Sequence, residues 1–227
     1  MSKAINISAE DHKRITTAVA EAEKGTDGEI VTIVTEQSDH YNDVALHMAI
    51  AAMFLFLSAL AVFPSFFRGI VNFLAGGWQH DFTTAQYLSM ILVVSAVLFL
   101  AIRYLFTIPA LRMAITPGGT KEIRVRHRAI QFFKVGAERR TLGLTGILIY
   151  LSIREHRAEI VADEAIATQV DPEVWGDAMA VLLTEVKAGR PGDGMVAAVE
   201  KVGEVLAVYF PKSVDNTNEL PDRLIEL

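Results

Sequence analysis

The sequence predicts an α/β (α+β) protein with a small mixed β-sheet flanked by helices and interrupted by a two-helix transmembrane hairpin. Three observations predict this fold class. Residues 29–36 and 147–153 are rich in Ile and Val and have the composition of buried strands. Two long apolar runs, residues 44–63 and 87–108, lie between these strands along the chain. Amphipathic patterns with helical spacing precede and follow the strands.

The two apolar runs have the length and composition of membrane-spanning helices. A bilayer core of about 30 Å needs about 20 apolar residues in an α-helix, and both runs meet that length. The first run carries no formal charge, and the second carries only Arg103, near its end. An arginine at that depth can extend its side chain to the lipid headgroups. Residues 44–109 are therefore predicted to form a transmembrane hairpin.

The basic residues that flank the runs predict their orientation. The connection between the runs, residues 64–86, contains a single Lys or Arg, which is Arg68. The segment after the second run contains Arg112, Lys121, Arg124, Arg126 and Arg128. Because basic flanks generally stay in the cytoplasm, we expect a multi-pass protein of the cell (inner) membrane. An even number of spans places both termini in the cytoplasm.

Residues 1–40 are predicted to supply the first part of the folded domain. Ser8 and Asp11 have the spacing of a helix-capping box, with Asp in place of the usual Glu or Gln. Ile15 and Val19 follow at helical spacing, which predicts a helix over residues 9–24. Residues 29–36 then form a strand with apolar side chains on both faces, as in a strand covered on both sides.

Residues 120–211 are predicted to complete the same domain. Helix 121–135 precedes a β-hairpin formed by residues 147–153 and 157–162. Asp171 and Pro172 then begin a helix, because Asp is a frequent N-cap and Pro a frequent first residue. Residues 190–194 resemble a loop before the last helix, 195–209. Residues 212–227 are polar and acidic and are predicted to be a flexible tail.

Composition narrows the possible partners. The 227-residue chain has a formal net charge of −6, which does not favour a nucleic-acid partner. It contains no cysteine, which excludes disulfides, thiol nucleophiles and cysteine-ligated metals. The basic stretch 121–128 is suited to anionic lipids of the inner leaflet. The partners expected are the lipid bilayer and another membrane protein.

An ordered set of motifs resembles the TPM domain family. These motifs are GTDGEIVTIVTE, RAIQFF, TGILIYLSIREHRAEIVADEAI, Trp175 followed by a Gly-Asp-Gly loop, and AAVEKVGEVLAVYFP. The family includes plant thylakoid-lumen and photosystem-repair proteins and an acetylcholine-receptor auxiliary protein. The resemblance implies a mixed sheet flanked by helices; some relatives are described as acid phosphatases, and acidic loops bind calcium in some. Here the hairpin lies inside the domain, and Leu144-Thr145-Gly146 replaces the Asn-Asn-Gly of many relatives.

Acidic residues at the predicted strand ends are the candidates for a metal site. The candidates are Asp27 and Glu29 before the first strand, Asp163 and Glu164 after the hairpin, Asp171, and Asp193. Carboxylates that converge from such loops could bind Ca²⁺ or Mg²⁺. We select Asp163, Glu164 and Asp27 as the metal-ligand hypothesis. Asp171 and Asp193 also have sufficient explanations as capping or loop residues.

Two functional hypotheses remain open at this stage. The chain has no nucleophile elbow, P-loop, HExxH or dinucleotide-binding motif, so no catalytic residue is assigned. The first hypothesis is a binding or scaffold protein that presents a TPM-like domain at the cytoplasmic face, in membrane-protein assembly, repair or regulation. The alternative is a divalent-metal-dependent phosphatase that acts on phosphoesters.

Overall fold

The structure is a computed structural model that describes residues 7–74, 82–138, 141, 143–214 and 218–227. The chain forms two compact units, Met1–His40 with Pro117–Leu227, and Tyr41–Thr116. The second unit contains the predicted hairpin, 44–109. Parts of all four predicted segments lie outside the described residues, namely 1–6 of the N-terminal part, 75–81 of the hairpin, 139, 140 and 142 of the C-terminal part, and 215–217 of the tail.

The first unit contains a mixed four-stranded sheet, which confirms the predicted fold class. Its strands are β1 (Glu29–Thr35), β2 (Gly146–Ser152), β3 (Arg157–Ala162) and β4 (Ile225–Glu226), in the order β3-β2-β1-β4. Strand β1 runs parallel to β2 and to β4, whereas β2 and β3 are antiparallel. The central pair β1–β2 joins residues from opposite sides of the inserted segment, for example Ile33 opposite Tyr150.

The described residues form helices both within the sheet unit and within the inserted unit. The helices are α1 (Ala9–Ala22), α2 (Asn42–Val62), α3 (Pro64–Leu74), α4 (Thr84–Leu105), α5 (Pro109–Ile115), α6 (Gly118–Gly136), α7 (Glu164–Gln169), α8 (Gly176–Lys187) and α9 (Pro191–Tyr209), with short 3₁₀ turns at Glu23–Gly25 and Pro172–Trp175. Helix α1 begins with the predicted capping box, in which Ser8 and Asp11 bond each other's backbone amides.

Alternation along β1 and β2 divides the core between the two faces of the sheet. Ile30 and Val34 of β1 face the larger core, together with residues of α1, α8 and α9. Val31 and Ile33 face the smaller core, which Val125, Ala129 and Phe133 of α6 cover. Every residue of β1 and β2 is buried, as expected for central strands that are covered on both faces.

The C-terminal segment corrects the sequence prediction. Residues 212–227 were predicted to be a flexible tail, but Ile225–Glu226 form β4 beside β1. Leu220 and Leu224 are each only 5% exposed, and the Leu227 amide donates to the Val34 carbonyl at 3.0 Å. Without β4, β1 would be an edge strand with unpaired backbone groups, and β4 pairs with part of that strand.

The predicted loop 190–194 is instead the first turn of α9. Pro191 occupies the start of this helix, where a missing amide hydrogen does not matter. A Cβ atom on Gly194 would lie 2.8 Å from the Leu182 carbonyl oxygen of α8. The glycine that suggested a loop is therefore required by close helix packing.

The inserted unit has the character of a membrane hairpin. Helices α2 and α4 are long and apolar enough to cross a bilayer, with mean hydropathies of 2.2 and 2.3. Ala45 and Ala49 of α2 and Ser95 of α4 are buried, whereas many large apolar side chains of this unit are exposed. Exposed apolar helices of this length indicate membrane association.

Candidate functional site

The sheet topology places two of the predicted metal ligands at one end of the sheet. Asp27 lies just before β1, and Asp163 follows β3. Because β1 and β2 are parallel and β3 is antiparallel to β2, the start of β1 and the end of β3 lie at the same end of the strands. The Asp163 amide donates to the Gly146 carbonyl at 2.8 Å, which anchors this end of β3 to the start of β2.

Of the three predicted metal ligands, Asp27 and Asp163 accept local hydrogen bonds, and Glu164 is exposed to solvent. Asp27 Oδ1 accepts hydrogen bonds from the Ser213 amide at 2.8 Å and its hydroxyl at 3.1 Å. Asp163 is buried and caps α7 by accepting from the Glu164 amide at 3.3 Å. Glu164 is exposed in the first turn of α7. Among the described residues, no three His, Asp or Glu side chains form a group suited to a metal ion, and the assignment stays a prediction.

A buried acidic pair lies near the start of β1. Glu23 Oε1 accepts from the Ile30 amide at 2.8 Å, and Glu29 Oε2 accepts from the Glu219 and Leu220 amides at 3.3 and 3.2 Å. Both glutamates line a cavity of about 140 Å³.

Burial changes the protonation of this acidic pair. Burial is the main reason that the pKa of Glu23 is raised to about 8, and the charges of Glu29 and Asp222 contribute to this increase. The Ile30 hydrogen bond and the charge of Lys212 act in the opposite direction. Burial also raises the pKa of Glu29, against the hydrogen bonds from Leu220 and Glu219. These carboxyl groups therefore favour the neutral form more than exposed glutamates do.

Sequence reasoning included Glu29 among the acidic candidates but missed Glu23. The available signal was helical spacing, because Glu23 continues the buried series of Ile15 and Val19 at intervals of four. A charged residue on the apolar stripe of a helix is an informative exception.

A larger polar cleft lies at the carboxyl end of β1. Its volume is about 500 Å³, and residues 37–40 after β1 form one side. Helix α6 forms the other side through Ile123, Arg124, His127, Arg128 and Gln131. In open sheets with parallel strands, ligands commonly bind beyond the carboxyl ends of the strands, so the position of this cleft is typical of a binding site.

Buried hydrogen bonds support the segment after β1. The Ser38 amide donates to Glu155 Oε1 at 2.9 Å, and the Ser38 hydroxyl lies 2.9 Å from the Tyr150 hydroxyl. Ser152 donates to the other oxygen of Glu155 at 2.5 Å. Tyr150 is fully buried, and burial raises the pKa of its hydroxyl. The segment is thus held by side chains from β2 and the β2–β3 turn.

The α6 side of the cleft is cationic. Arg124 forms an ion pair with Asp39 across the cleft, with 2.6 Å between Nη1 and Oδ2. The Arg128 guanidinium lies 4.7 Å from the centre of the Phe132 ring, and His127 contacts Gln131 at 3.0 Å. Stacking on an aromatic ring orients a guanidinium and leaves its edges able to donate to an anionic group. The sequence predicted a lipid-facing role for this stretch and did not identify the cleft.

Comparisons with known proteins support the fold. No family model matches the chain, and no curated protein matches it. Among solved structures, the chain is similar to the NMR structure of the BA42 protein from the psychrophilic bacterium Bizionia argentinensis. The two share 20% sequence identity over 100% of each chain, with a TM-score of 0.56. This likeness establishes a shared fold and carries no assignment of function.

Proposed function

We propose that this protein is an integral membrane protein that presents a TPM-like domain at the cytoplasmic face and binds another membrane protein. In this role it would assist membrane-protein assembly, repair or regulation. The observation that supports the proposal is the position of the apolar unit Tyr41–Thr116, which interrupts one sheet-containing unit between β1 and α6.

Strand pairing supports the hairpin topology. Strand β1 precedes the apolar unit, and its partner β2 follows it. Two strands can pair only if both lie on the same side of a membrane, and two spans return the chain to the side it left. The basic flank that contains Arg112 and residues 121–128 favours the cytoplasm for that side.

The cleft beside α6 is the surface that we assign to the partner. Arg124 is already paired with Asp39, so Arg128 is the basic residue of this side that we assign to an acidic segment of the partner. His40 lies one residue before the second unit, so the cleft belongs to the part of the domain that joins the hairpin in sequence. A binding surface there would suit the flank of a neighbouring membrane protein.

Topology is tested with reporter fusions to the full-length protein. A reporter that is active only in the cytoplasm should be active after Leu227, and one that is active only in the periplasm should be active between α3 and α4. The matched controls are the same reporters at the opposite positions, where both should be silent. Periplasmic activity after Leu227 would reverse the orientation and remove the cytoplasmic role.

Partner binding is tested by cross-linking and affinity purification from solubilised membranes. The variant Arg128→Glu should lose most of the cross-linked partner, because it reverses the charge of the cleft. The variant Arg126→Glu is the matched control, because Arg126 is exposed on the same helix and does not line the cleft. Equal recovery with both variants would contradict the assignment of the cleft.

The metal-dependent phosphatase is the second candidate function. The position of Asp27 and Asp163 at the same end of the sheet favours it, since carboxylates from strand-end loops can bind Ca²⁺ or Mg²⁺. Phosphatase activity is measured on a generic phosphoester with and without each ion. Asp163→Asn should abolish metal-dependent turnover while keeping an oxygen that can cap α7. Turnover that requires Asp163 would favour the enzyme over the scaffold, and the absence of turnover and of a metal-induced melting shift would exclude the enzyme.

A further inference from the structure

We propose that the second unit contains a binding site for one anionic phospholipid. The site lies at the start of α2 and the end of α4, which are close in sequence to the segments of the sheet unit. The site is a cavity of about 750 Å³ within the second unit, where the end of α4 meets the start of α2 and helix α5. The inference rests on the proposed function in one respect, which is that α2 and α4 span the bilayer. It adds a ligand class that the proposed function does not require.

Two arginines form the polar part of this cavity. Arg103 lies in the last turn of α4, and Arg112 lies on α5. Arg112 Nη1 donates to Asn42 Oδ1 at 2.9 Å and to the Phe106 carbonyl at 3.5 Å, which orients its guanidinium. Arg103 has no hydrogen bond or ion pair with another described residue, so its donors are available to a ligand.

The composition of the cavity favours an anion. The described residues that line it include both arginines and no Asp or Glu. Thr107 and Tyr104 add hydroxyl groups at the same end. A guanidinium donates two parallel hydrogen bonds to a phosphate, which makes arginine well suited to phosphate groups. The polar end of the cavity is therefore matched to a phosphodiester.

The rest of the cavity is apolar and continues along α4. Val97, Leu100 and Ala101 line it one to two turns before the end of the helix. Val97 and Leu100 are 60% and 62% exposed, so they form an open face. With Tyr104 they follow the i, i+3, i+4, i+7 spacing of one helical face. A phosphate at the arginines would place an attached acyl chain along this face.

This arrangement distinguishes a phospholipid from a free phosphate compound. A soluble phosphate would use only the arginine end, whereas a phospholipid would occupy both ends. Basic pockets between membrane helices on the cytoplasmic side bind acidic lipid headgroups in other proteins. The predicted orientation places Arg103 and Arg112 on that side, where anionic lipids of the inner leaflet are available.

Native mass spectrometry of the full-length protein in a neutral detergent tests the site. The protein is titrated separately with phosphatidylglycerol, phosphatidylcholine of the same acyl chains, and glycerol 3-phosphate. We expect phosphatidylglycerol to bind about tenfold more tightly than phosphatidylcholine, because two arginines contact the anionic lipid. Glycerol 3-phosphate should give no adduct at the concentrations at which phosphatidylglycerol binds. Equal binding of the two lipids, or an adduct with glycerol 3-phosphate as abundant as that with lipid, would overturn the proposal.

Three variants make the test specific. Arg103→Gln with Arg112→Gln should abolish the preference for phosphatidylglycerol, whereas Arg103→Lys should keep part of it. Arg68→Gln is the matched control, because it removes one arginine from α3 of the same unit, outside this cavity, and should leave the preference intact. If the double variant cannot be purified, Arg103→Gln alone gives the test, since Arg103 makes no hydrogen bond within the described residues.

The outcomes separate this site from the proposed function. A preference that is undiminished in Arg103→Gln, that survives in the double variant, or that is lost equally in Arg68→Gln would reject the lipid site. Neither result would alter a confirmed cytoplasmic topology or a confirmed partner. Conversely, a reporter result that places no span in the membrane would reject the proposed function and the lipid site together.

Discussion

At the scale of single residues, the least expected feature is a carboxyl group buried beside the central strand. Glu23 is only 6% exposed, and the one described hydrogen bond to its carboxyl group comes from the Ile30 amide. Burial, with the charges of Glu29 and Asp222, raises its pKa from the ordinary 4.5 to about 8. Between those two pH values the folded protein holds a proton that the unfolded chain has released.

This protonation predicts that stability falls as the pH rises. The folded state binds more protons than the unfolded state between about pH 4.5 and 8, so the free energy of unfolding decreases over that range and levels off above it. Glu23→Gln should remove most of the decrease, because glutamine stays neutral and can still accept from Ile30, and Glu29, whose pKa is also raised, accounts for the remainder. Since the pKa rises from 4.5 to about 8 and each pKa unit corresponds to about 1.4 kcal/mol, the variant should be about 4 kcal/mol more stable than the natural protein at pH 8.

Melting of the full-length protein in detergent between pH 5 and 8, followed by tryptophan fluorescence, measures this difference. The control is Glu21→Gln, because Glu21 is exposed on the same helix and pairs with Lys24. The control should follow the natural protein at every pH. A Glu23→Gln melting curve with the same pH dependence as the natural protein would show that Glu23 is already ionised in the fold.

At the scale of elements, the C-terminal segment contributes more to the core of the sheet unit than its polar composition indicates. Strand β4 contains only Ile225–Glu226, yet the segment before it places Leu220 and Leu224 in the core. It also supplies the two amides that bind the Glu29 carboxylate. His12 of α1 contacts Glu226 at 3.2 Å, which ties the segment to the first helix as well.

Truncation of these leucines should destabilise the sheet unit. Leu220→Ala and Leu224→Ala should each lower the free energy of unfolding by about 2–4 kcal/mol, because each removes a buried side chain and leaves a cavity. Leu227→Ala is the matched control, since Leu227 is 54% exposed and its strand contact is made by the backbone amide. Denaturation of the three variants in detergent measures the differences. Similar stabilities for all three would mean that the segment does not pack on the core.

At the scale of the whole molecule, the chain consists of a domain and an insertion. The residues that pair and pack around the sheet come from Met1–His40 and Pro117–Leu227. Among the residues that the structure describes, the two cores of this unit contain none from the unit Tyr41–Thr116. The insertion is therefore expected to determine where the domain is placed more than whether it folds.

Removal of the insertion tests this division. A protein in which a short Gly-Ser linker joins His40 to Pro117 should be soluble and should unfold cooperatively, because both cores are retained. Size-exclusion chromatography and thermal denaturation provide the measurements. The same spliced protein with Ile149→Asp is the negative control, since a charge at this fully buried position of β2 should prevent folding. Aggregation of the spliced protein without that substitution would mean that the domain needs its hairpin.

The sequence by itself determined the elements that have strong local patterns. The two long apolar helices follow from uninterrupted apolar length, α1 from its capping box and apolar spacing, and β1 and β2 from buried Ile- and Val-rich segments. It also determined that β1 must find its partner beyond the hairpin, because one strand cannot form a sheet. Asp27 and Asp163 were recognised as acidic strand-end residues from the same local patterns.

Only the tertiary structure decided the features that depend on long-range contacts. Residues 37–40 and α6 form a cleft although the whole apolar insertion separates them in sequence. Leu220 and β4 lie beside β1 although they are close to the other end of the sequence. Glu23 contacts the same strand by accepting from the Ile30 amide. Local propensity reports the conformation of a segment and not which distant surface covers it. The strands and the long apolar helices could therefore be predicted, whereas the cleft, the buried acidic pair and the C-terminal strand could not.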